Sequence, residues 1–211
     1  MTDTQDVTGT VMETRPVQTT RQDLEAVLDR FRGDILQVPP MYSAVKRNGK
    51  KLYELARRGE EVERAPRPIT IYELELLEQV SETGFLLRVL CSKGTYVRTL
   101  CHDIGKALGC GGTLYSLRRT KAAGFGLEQA VTLEQAAEGV RLLPVDSYFA
   151  RYPSLSLDQE SQEKKVRNGN TIRVDDSPDG EYRVYGPGGE FLALSRLENG
   201  RLTTIKSFFE V

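Results

Sequence analysis

Two neighbouring runs of branched and aromatic residues dominate the middle of this chain. Ile69 to Leu77 and Phe85 to Cys91 predict β-strands, and the polar stretch Ser81-Glu82-Thr83-Gly84 between them predicts a turn. The second strand leads directly into the segment Cys91 to Thr99, with the sequence CSKGTYVRT. Helical patterns flank these strands, so the chain is expected to adopt an α+β fold.

The helical patterns are short and amphipathic. They predict helices over 20–32, 51–58 and 99–108, packed around a mixed sheet. Thr20 and Asp23 have the spacing of an N-cap residue and its N3 partner, which marks where the first helix begins. Further strands are expected over Met41 to Lys46, ahead of the hairpin dipeptide Asn48-Gly49, and over Leu114 to Thr120.

The pattern changes near residue 150. Short strand-like runs then alternate with Gly- and Asn-rich turns; they cover 171–174, 182–185, 191–197 and 202–209. We expect a small all-β module, folded as a β-barrel. The predicted domains are therefore 1–147 and 148–211.

The segment from Cys91 to Thr99 also carries candidate binding chemistry. If it continues the strand, Tyr96 and Arg98 lie on one face, together with Gly94. An aromatic ring can stack on a nucleobase, and an arginine can hold a carboxylate in two parallel hydrogen bonds. This would be a binding surface without a nucleophile. The alternative is an ordinary strand whose tyrosine packs and whose arginine meets a surface acid.

Charge is balanced over the whole chain but clustered locally. There are 29 basic and 30 acidic residues, so a nucleic-acid surface would have to come from clustering. Eight basic residues lie within 22 positions that contain only four acids: Lys46, Arg47, Lys50, Lys51, Arg57, Arg58, Arg64 and Arg67. Lys93, Arg118 and Arg119 follow later, and Tyr42 and Tyr53 could stack on bases. The alternative is a solvated charged face.

Several classes of site are disfavoured. Three cysteines without CxxC spacing and a single histidine argue against structural zinc and for a reducing compartment. His102-Asp103 lacks the further histidines that a metal hydrolase needs, and no cysteine-histidine signature indicates a thiol nucleophile. No apolar run is long enough to span a membrane, so we expect a soluble, cytoplasmic protein.

Six ordered motifs resemble the bacterial tRNA pseudouridine-55 synthase family, TruB. They are TDTQDVTG at 2–9, QVPPMYSAVK at 37–46, GKKLYELAR at 49–57, RPI at 67–69, CSKGTYVRT at 91–99 and LRR at 117–119. The module after Tyr148 resembles that family's PUA-like RNA-binding domain, mainly through Arg167-Asn168-Gly169-Asn170 and the terminal strands.

The resemblance implies an isomerase that converts the T-loop uridine of tRNA into pseudouridine, without a metal or organic cofactor. Tyr96 would stack on the flipped base and Arg98 would pair with the catalytic aspartate. Leu117 would line the pocket, and Asp6 would join the arginine-aspartate network. The RNA-binding residues would be Tyr42, Lys46, Lys50, Lys51, Lys93, Arg118 and Arg119.

The chain departs from the family at the nucleophile. The family's aspartate lies in a motif like GTLDPLATG, which does not occur here. The chain is therefore expected to be the C-terminal part of a synthase that is monomeric when intact. Alone, the chain is expected to be inactive, and the missing N-terminal segment is its expected partner. The alternative is a non-catalytic module that binds the T-arm or helps tRNA to fold.

Overall fold

The computed structural model describes residues 1–209, and the chain divides into two compact units. The first unit is Met1–Arg118 and the second begins at Arg119. This division lies earlier in the chain than the predicted domain boundary between residues 147 and 148, and that domain assignment stays a prediction. The two units are described separately.

The first unit is a small sheet with three helices. Its strands are β1 (Gly33–Gln37), β2 (Lys46–Arg47), β3 (Lys50–Lys51), β4 (Arg67–Gln79) and β5 (Phe85–Cys91), and its helices are α1 (Arg21–Leu28), α2 (Leu52–Ala56) and α3 (Val97–Ala107). Strands β1, β4 and β5 form an antiparallel sheet in that order, while β2 and β3 form the predicted hairpin. The three predicted helices are confirmed: α1 and α2 are shorter than predicted, whereas α3 begins two residues earlier than predicted, at Val97.

One apolar cluster holds α1 and α3 together with β4. It consists of Leu24, Leu28, Ile69, Ile71, Leu74, Leu100 and Ile104. The predicted capping box starts α1: Thr20 Oγ1 accepts from the Asp23 amide at 3.2 Å, and Asp23 Oδ2 accepts from the Thr20 amide at 2.9 Å. These contacts satisfy amides that the helix itself leaves unpaired.

The predicted strand over Cys91 to Thr99 is wrong beyond its first residue. Strand β5 ends at Cys91, and the chain turns at Gly94, whose φ of 86° lies in the left-handed region that glycine accepts without strain. Helix α3 then begins at Val97. Tyr96 is therefore an N-cap residue and Arg98 lies in the first helical turn, so strand alternation does not relate them.

Two other predicted strands are also overturned. Leu114 to Thr120 forms only one bridge, in which Leu114 pairs in parallel with Asp6, and no strand continues beyond it. Met41 to Lys46 is mostly irregular and forms a strand only from Lys46. Neither stretch is paired along its length with another strand among the described residues, and local sequence preference cannot supply such a partner.

The second unit contains the predicted strand-rich module. It comprises β6 (Lys121–Ala122), β7 (Phe125–Gly126), α4 (Leu133–Glu138), β8 (Ser154–Ser156), α5 (Glu160–Arg167), β9 (Ile172–Arg173), β10 (Gly180–Tyr185), β11 (Phe191–Glu198) and β12 (Arg201–Ser207). Five strands form one sheet in the order β8-β10-β11-β12-β9. Helix α5 corrects the all-β expectation: its buried Val166 packs into the module's apolar cluster. The α+β class is confirmed.

The C-terminal half of α3 makes a close backbone contact. A Cβ atom placed on Gly105 would lie 2.2 Å from both the Gly111 carbonyl carbon and the Gly112 nitrogen. One on Gly112 would lie 2.3 Å from the Cys101 carbonyl oxygen. The Gly111 amide also donates to the Gly105 carbonyl at 2.9 Å. Glycine at these positions therefore allows the chain after α3 to return directly against the helix.

We predict that Gly105→Ala destabilises the first unit although alanine is the better helix former. The propensity gain is about 1 kcal/mol, whereas forcing a methyl group against fixed backbone costs about 1–3 kcal/mol or more. Urea unfolding followed by circular dichroism should show a lower midpoint. Lys106→Ala, at the next and exposed position of α3, is the control and should change stability by less than about 0.5 kcal/mol. A midpoint that rises in Gly105→Ala would contradict the close packing.

Candidate functional site

Four segments of the first unit meet around the N-terminus of α3. They are the loop 2–9, the segment 37–43, the segment 94–99 and the bridge residue Leu114. Three of these coincide with motifs singled out in the sequence. Hydrogen bonds between segments far apart in the chain hold them together, and those bonds define the geometry of the site.

The structure brings Tyr96 and Arg98 together through the start of a helix. The Arg98 guanidinium carbon lies 6.0 Å from the centre of the Tyr96 ring, within the range of a cation–π contact. Both side chains are half-buried. Arg98 Nη2 also donates to the carbonyl oxygen of Tyr42. The site thus presents an aromatic ring and a positive charge side by side.

Asp6 lies in the loop 2–9 but is not an ion-pair partner of Arg98. Its Oδ1 accepts from the Thr8 amide at 3.0 Å and from Thr8 Oγ1 at 2.8 Å. These two bonds are the main causes that lower the pKa of Asp6, and the charge of Arg98 contributes less. Within residues 1–209, no carboxylate oxygen comes within 4.0 Å of the Arg98 guanidinium.

The loop that carries Asp6 is tied to α3 and to Leu114. Thr99 Oγ1 donates to Gln5 Oε1 at 2.7 Å, and Thr99 itself is buried. The Val7 amide donates to the Leu114 carbonyl at 2.9 Å, and the Leu114 amide donates to the Gln5 carbonyl at 3.0 Å. The loop is thus fixed beside the first turn of α3 even though it contains no regular strand.

Tyr42 connects this loop with the segment 37–43. Its hydroxyl donates to Asp3 Oδ2 at 3.3 Å, while its carbonyl accepts from Arg98. Asp3 Oδ1 also accepts from the Thr10 amide at 2.8 Å. The Tyr42 ring was predicted to contact RNA by stacking, and the structure places it within hydrogen-bonding reach of the loop.

Gln37 is a residue of the site that sequence reasoning missed. It ends β1, and its side chain is buried, with 3% exposure. Gln37 Oε1 accepts from the Tyr96 amide at 2.8 Å, and Gln37 Nε2 donates to the Tyr96 carbonyl at 3.2 Å. A buried amide needs partners, but neither the burial of Gln37 nor its partner 59 residues away is visible in the local sequence.

The basic cluster around the β2–β3 hairpin has two kinds of members. Arg47 donates to the Glu63 carbonyl and Arg64 to the Pro39 carbonyl, so these arginines hold the chain after α2 in place. Lys46 and Lys50 are exposed and have no ion-pair partner within the described residues. They are available to an external anion.

An aromatic ring lies within the same cluster. Tyr53 has the Lys51 ammonium at 5.4 Å and the Arg57 guanidinium at 5.3 Å from its ring centre. Lys51 Nζ also donates to the Tyr53 hydroxyl at 3.2 Å, which raises the pKa of Lys51. This arrangement of charges and a ring suits a phosphate backbone with unstacked bases.

The remaining predicted residues are exposed. Lys93 lies in the turn before Tyr96, and Arg118 ends the first unit. Leu117, predicted to line the pocket, is 59% exposed. Arg119 is exposed and opens the second unit.

Two further reactive groups on α3 have raised pKa values. Burial raises the pKa of the Cys101 thiol to about 11, so it stays neutral near pH 7. Burial also raises the pKa of Asp103, while the neighbouring His102 lowers it. In the part of the chain that is described, no group of three or more His, Cys, Asp or Glu side chains is arranged to hold a metal ion.

Family models match most of the chain. Residues 1–97 match the model "TruB family pseudouridylate synthase (N terminal domain)", and residues 98–148 match "tRNA pseudouridylate synthase B C-terminal domain". The chain belongs to the TruB family. Proteins named tRNA pseudouridine synthase B from Azoarcus sp. and Pseudomonas fluorescens are 46% and 47% identical to it over 95% of its length. It covers 68% and 69% of those two proteins.

Solved structures show the same fold. A Cbf5-Nop10-Gar1 complex contains a chain that superposes with a TM-score of 0.63 at 22% identity, covering 93% of this chain and 63% of that one. An H/ACA RNP bound to a substrate RNA containing 2′-deoxyuridine matches with a TM-score of 0.60 at 20% identity, covering 91% of this chain and 62% of that one. This TruB-family chain thus spans about two thirds of its relatives.

The family assignment agrees with the motifs that converge at the site. The motifs at 2–9, 37–46 and 91–99 supply Asp6, Tyr42, Tyr96 and Arg98 to one region, although they are distant in sequence.

No helix in residues 1–209 is long and apolar enough to cross a membrane.

The Asp6 geometry gives a prediction about pH. Alanine keeps the Thr8 amide bond to Asp6 but removes the hydroxyl bond, and that hydroxyl bond lowers the pKa of Asp6 more than the charge of Arg98 does. Thr8→Ala should therefore raise the pKa of Asp6 further than Arg98→Ala does, as measured by NMR titration of the carboxyl carbon. The folded-state pKa is depressed, so the bonds stabilise the fold above the ordinary aspartate pKa. This stabilisation is lost as pH falls through the folded-state value. A larger rise in Arg98→Ala would indicate a direct ion pair instead.

Proposed function

We propose that this chain is the C-terminal two thirds of a tRNA pseudouridine synthase that acts on the T-loop uridine. The observation that carries the proposal is its 46–47% identity, over 95% of its length, to proteins named tRNA pseudouridine synthase B. The Tyr96–Arg98 pair supports it, because a ring beside a guanidinium can hold a flipped base and pair with an acid.

The proposed reaction rearranges a nucleotide without changing its formula. The bond between N1 of uracil and C1′ of ribose breaks, the C5–C1′ bond forms, C5 loses a proton and N1 gains one. No redox cofactor is needed for this balance. Tyr96 would stack on the flipped base, Arg98 would hold the catalytic carboxylate, Asp6 would belong to the surrounding network, and Leu117 would line the pocket.

The second unit would add to RNA binding. We assign 148–211 as a PUA-like RNA-binding domain and 1–147 as the C-terminal part of the catalytic domain. The partner is the T-arm of tRNA, and the intact enzyme is proposed to be a cytoplasmic monomer. The enzyme would bind RNA mainly through seven residues, most of which are exposed: Tyr42, Lys46, Lys50, Lys51, Lys93, Arg118 and Arg119.

We propose that this chain alone does not turn over uridine. Arg98 has no carboxylate partner among the described residues, Asp6 is bonded to Thr8, and the half-buried Cys101 thiol is neutral near pH 7. The same observation favours the second candidate function, a T-arm binding module without catalysis. The two candidates differ in whether an added acid restores chemistry.

Tritium release from a T-arm RNA labelled at uridine C5 distinguishes them. We expect no release by the 211-residue chain. Adding in trans the N-terminal segment of the Azoarcus relative should restore release, and Arg98→Ala should abolish it. Tritium release by the chain alone would show that the chain contains a nucleophile and would refute the proposed inactivity. No release after addition, with RNA binding intact, would favour the non-catalytic module.

RNA binding should depend on two hairpin lysines, the exposed Lys50 and the half-buried Lys51. Replacing Lys50 and Lys51 by alanine should weaken binding to the T-arm RNA, and each lost phosphate contact should reduce the slope of log K against log salt by about 0.7–0.9. Fluorescence anisotropy over a salt series measures both quantities.

The chain contains a matched control for this experiment. Lys164 and Lys165 are likewise adjacent; both are exposed, and they lie on α5 in the second unit. Their double alanine variant removes the same charge. If both double variants lose affinity and slope equally, the hairpin has no special role and only net charge matters.

A further inference from the structure

The Gln37 side chain spans the end of the first unit's sheet. Strands β1 and β5 are both paired with β4, so they lie on opposite sides of it. Gln37 is the last residue of β1, whereas Tyr96 follows the turn after β5. The Gln37 amide nevertheless bonds to both main-chain polar groups of Tyr96, at 2.8 and 3.2 Å. It therefore joins two segments that the sheet ladder does not connect directly.

The orientation of this amide follows from its partners. The Tyr96 N–H can only donate and its C=O can only accept, so the oxygen of Gln37 must face the former and the nitrogen the latter. Both bonds are satisfied by one residue in a buried position. The N-cap position of α3 has no side-chain cap of its own, so this contact fixes the residue at which the helix begins.

A second bond closes the connection. Arg98 donates to the carbonyl of Tyr42, five residues after Gln37. The intervening Pro39 and Pro40 are buried and restrict the backbone. The segments 37–42 and 96–98 are thus joined at both ends. Removing the Gln37 bonds would leave only the Arg98 end.

From this geometry we infer that Gln37 is a positioning residue: it sets where the Tyr96 ring and the Arg98 guanidinium stand relative to a bound base. The inference rests on the proposed function and adds a residue to its site. Gln37 does not need to touch RNA. Its effect passes through the main chain of Tyr96, so loss of Gln37 should alter the geometry of base contact more than overall affinity.

Photocrosslinking tests this directly. A T-arm stem-loop RNA carries 5-iodouridine at the target position, and the yield of crosslink to Tyr96 is mapped by mass spectrometry at saturating protein. Gln37→Met keeps the side-chain volume and removes both bonds. We expect the yield to fall at least about fivefold while Kd changes by less than about threefold, since phosphate contacts dominate affinity. Amide exchange at Tyr96 should also accelerate relative to amides of β4.

Thr20→Ala is the matched control. It removes the N-cap of α1 and so destabilises the same unit, without touching Tyr96. Its crosslink yield should stay near that of the unsubstituted chain, so a general loss of stability cannot account for the effect. Tyr96→Phe keeps the ring and should retain the crosslink.

The outcomes separate the two proposals. The proposed function, and the positioning role with it, is refuted by either of two results. In the first, the chain binds the T-arm RNA no more tightly than it binds an unrelated stem-loop. In the second, it binds the T-arm RNA but forms no crosslink to Tyr96. An unsubstituted chain that crosslinks, beside a Gln37→Met variant with the same yield, overturns the positioning role alone. Equal losses in Gln37→Met and Thr20→Ala would also overturn it, because stability would then explain both.

Discussion

The first unit depends on the packing of α3 against the sheet. Leu100 and Ile104 enter the cluster formed by Ile71 and Leu74 of β4, so the helix axis is fixed by apolar burial. The polar side chains of the site are then positioned around the N-terminal end of that helix. Tyr96 precedes its first turn and Arg98 lies within it, and the loop 2–9 reaches it through Thr99.

At its other end, the same helix is held by a close backbone contact that only glycine allows. Gly105 allows the backbone of Gly111 and Gly112 to return within van der Waals distance. That return brings Leu114 alongside Asp6, where the parallel bridge forms. A packing constraint of the core thus places the loop that carries Asp6, and the site and the fold are not separable in this unit.

Sequence patterns predicted the parts that depend on local chemistry. The Thr20–Asp23 capping box, the Asn48-Gly49 hairpin and the strands on either side of Ser81–Gly84 follow from side chains close in sequence. The continuation of β5 into Tyr96 and Arg98 was wrong, because alternation cannot reveal that Gly94 adopts a positive φ and that a helix starts three residues later. Helix α5 was missed because only Val166 of its eight residues is buried, so it lacks a strong apolar stripe.

The candidate site shows the same division between local and long-range information. Tyr96 and Arg98 could be selected from their chemistry, because a ring and a guanidinium only two residues apart in sequence can contact the same ligand. Gln37 could not, because its function is defined by a partner 59 residues away. A short-range pattern identifies groups able to contact a ligand, whereas the groups that hold them in place bond to main chain and leave no local signature. The residues that set geometry are therefore the ones that only a structure identifies.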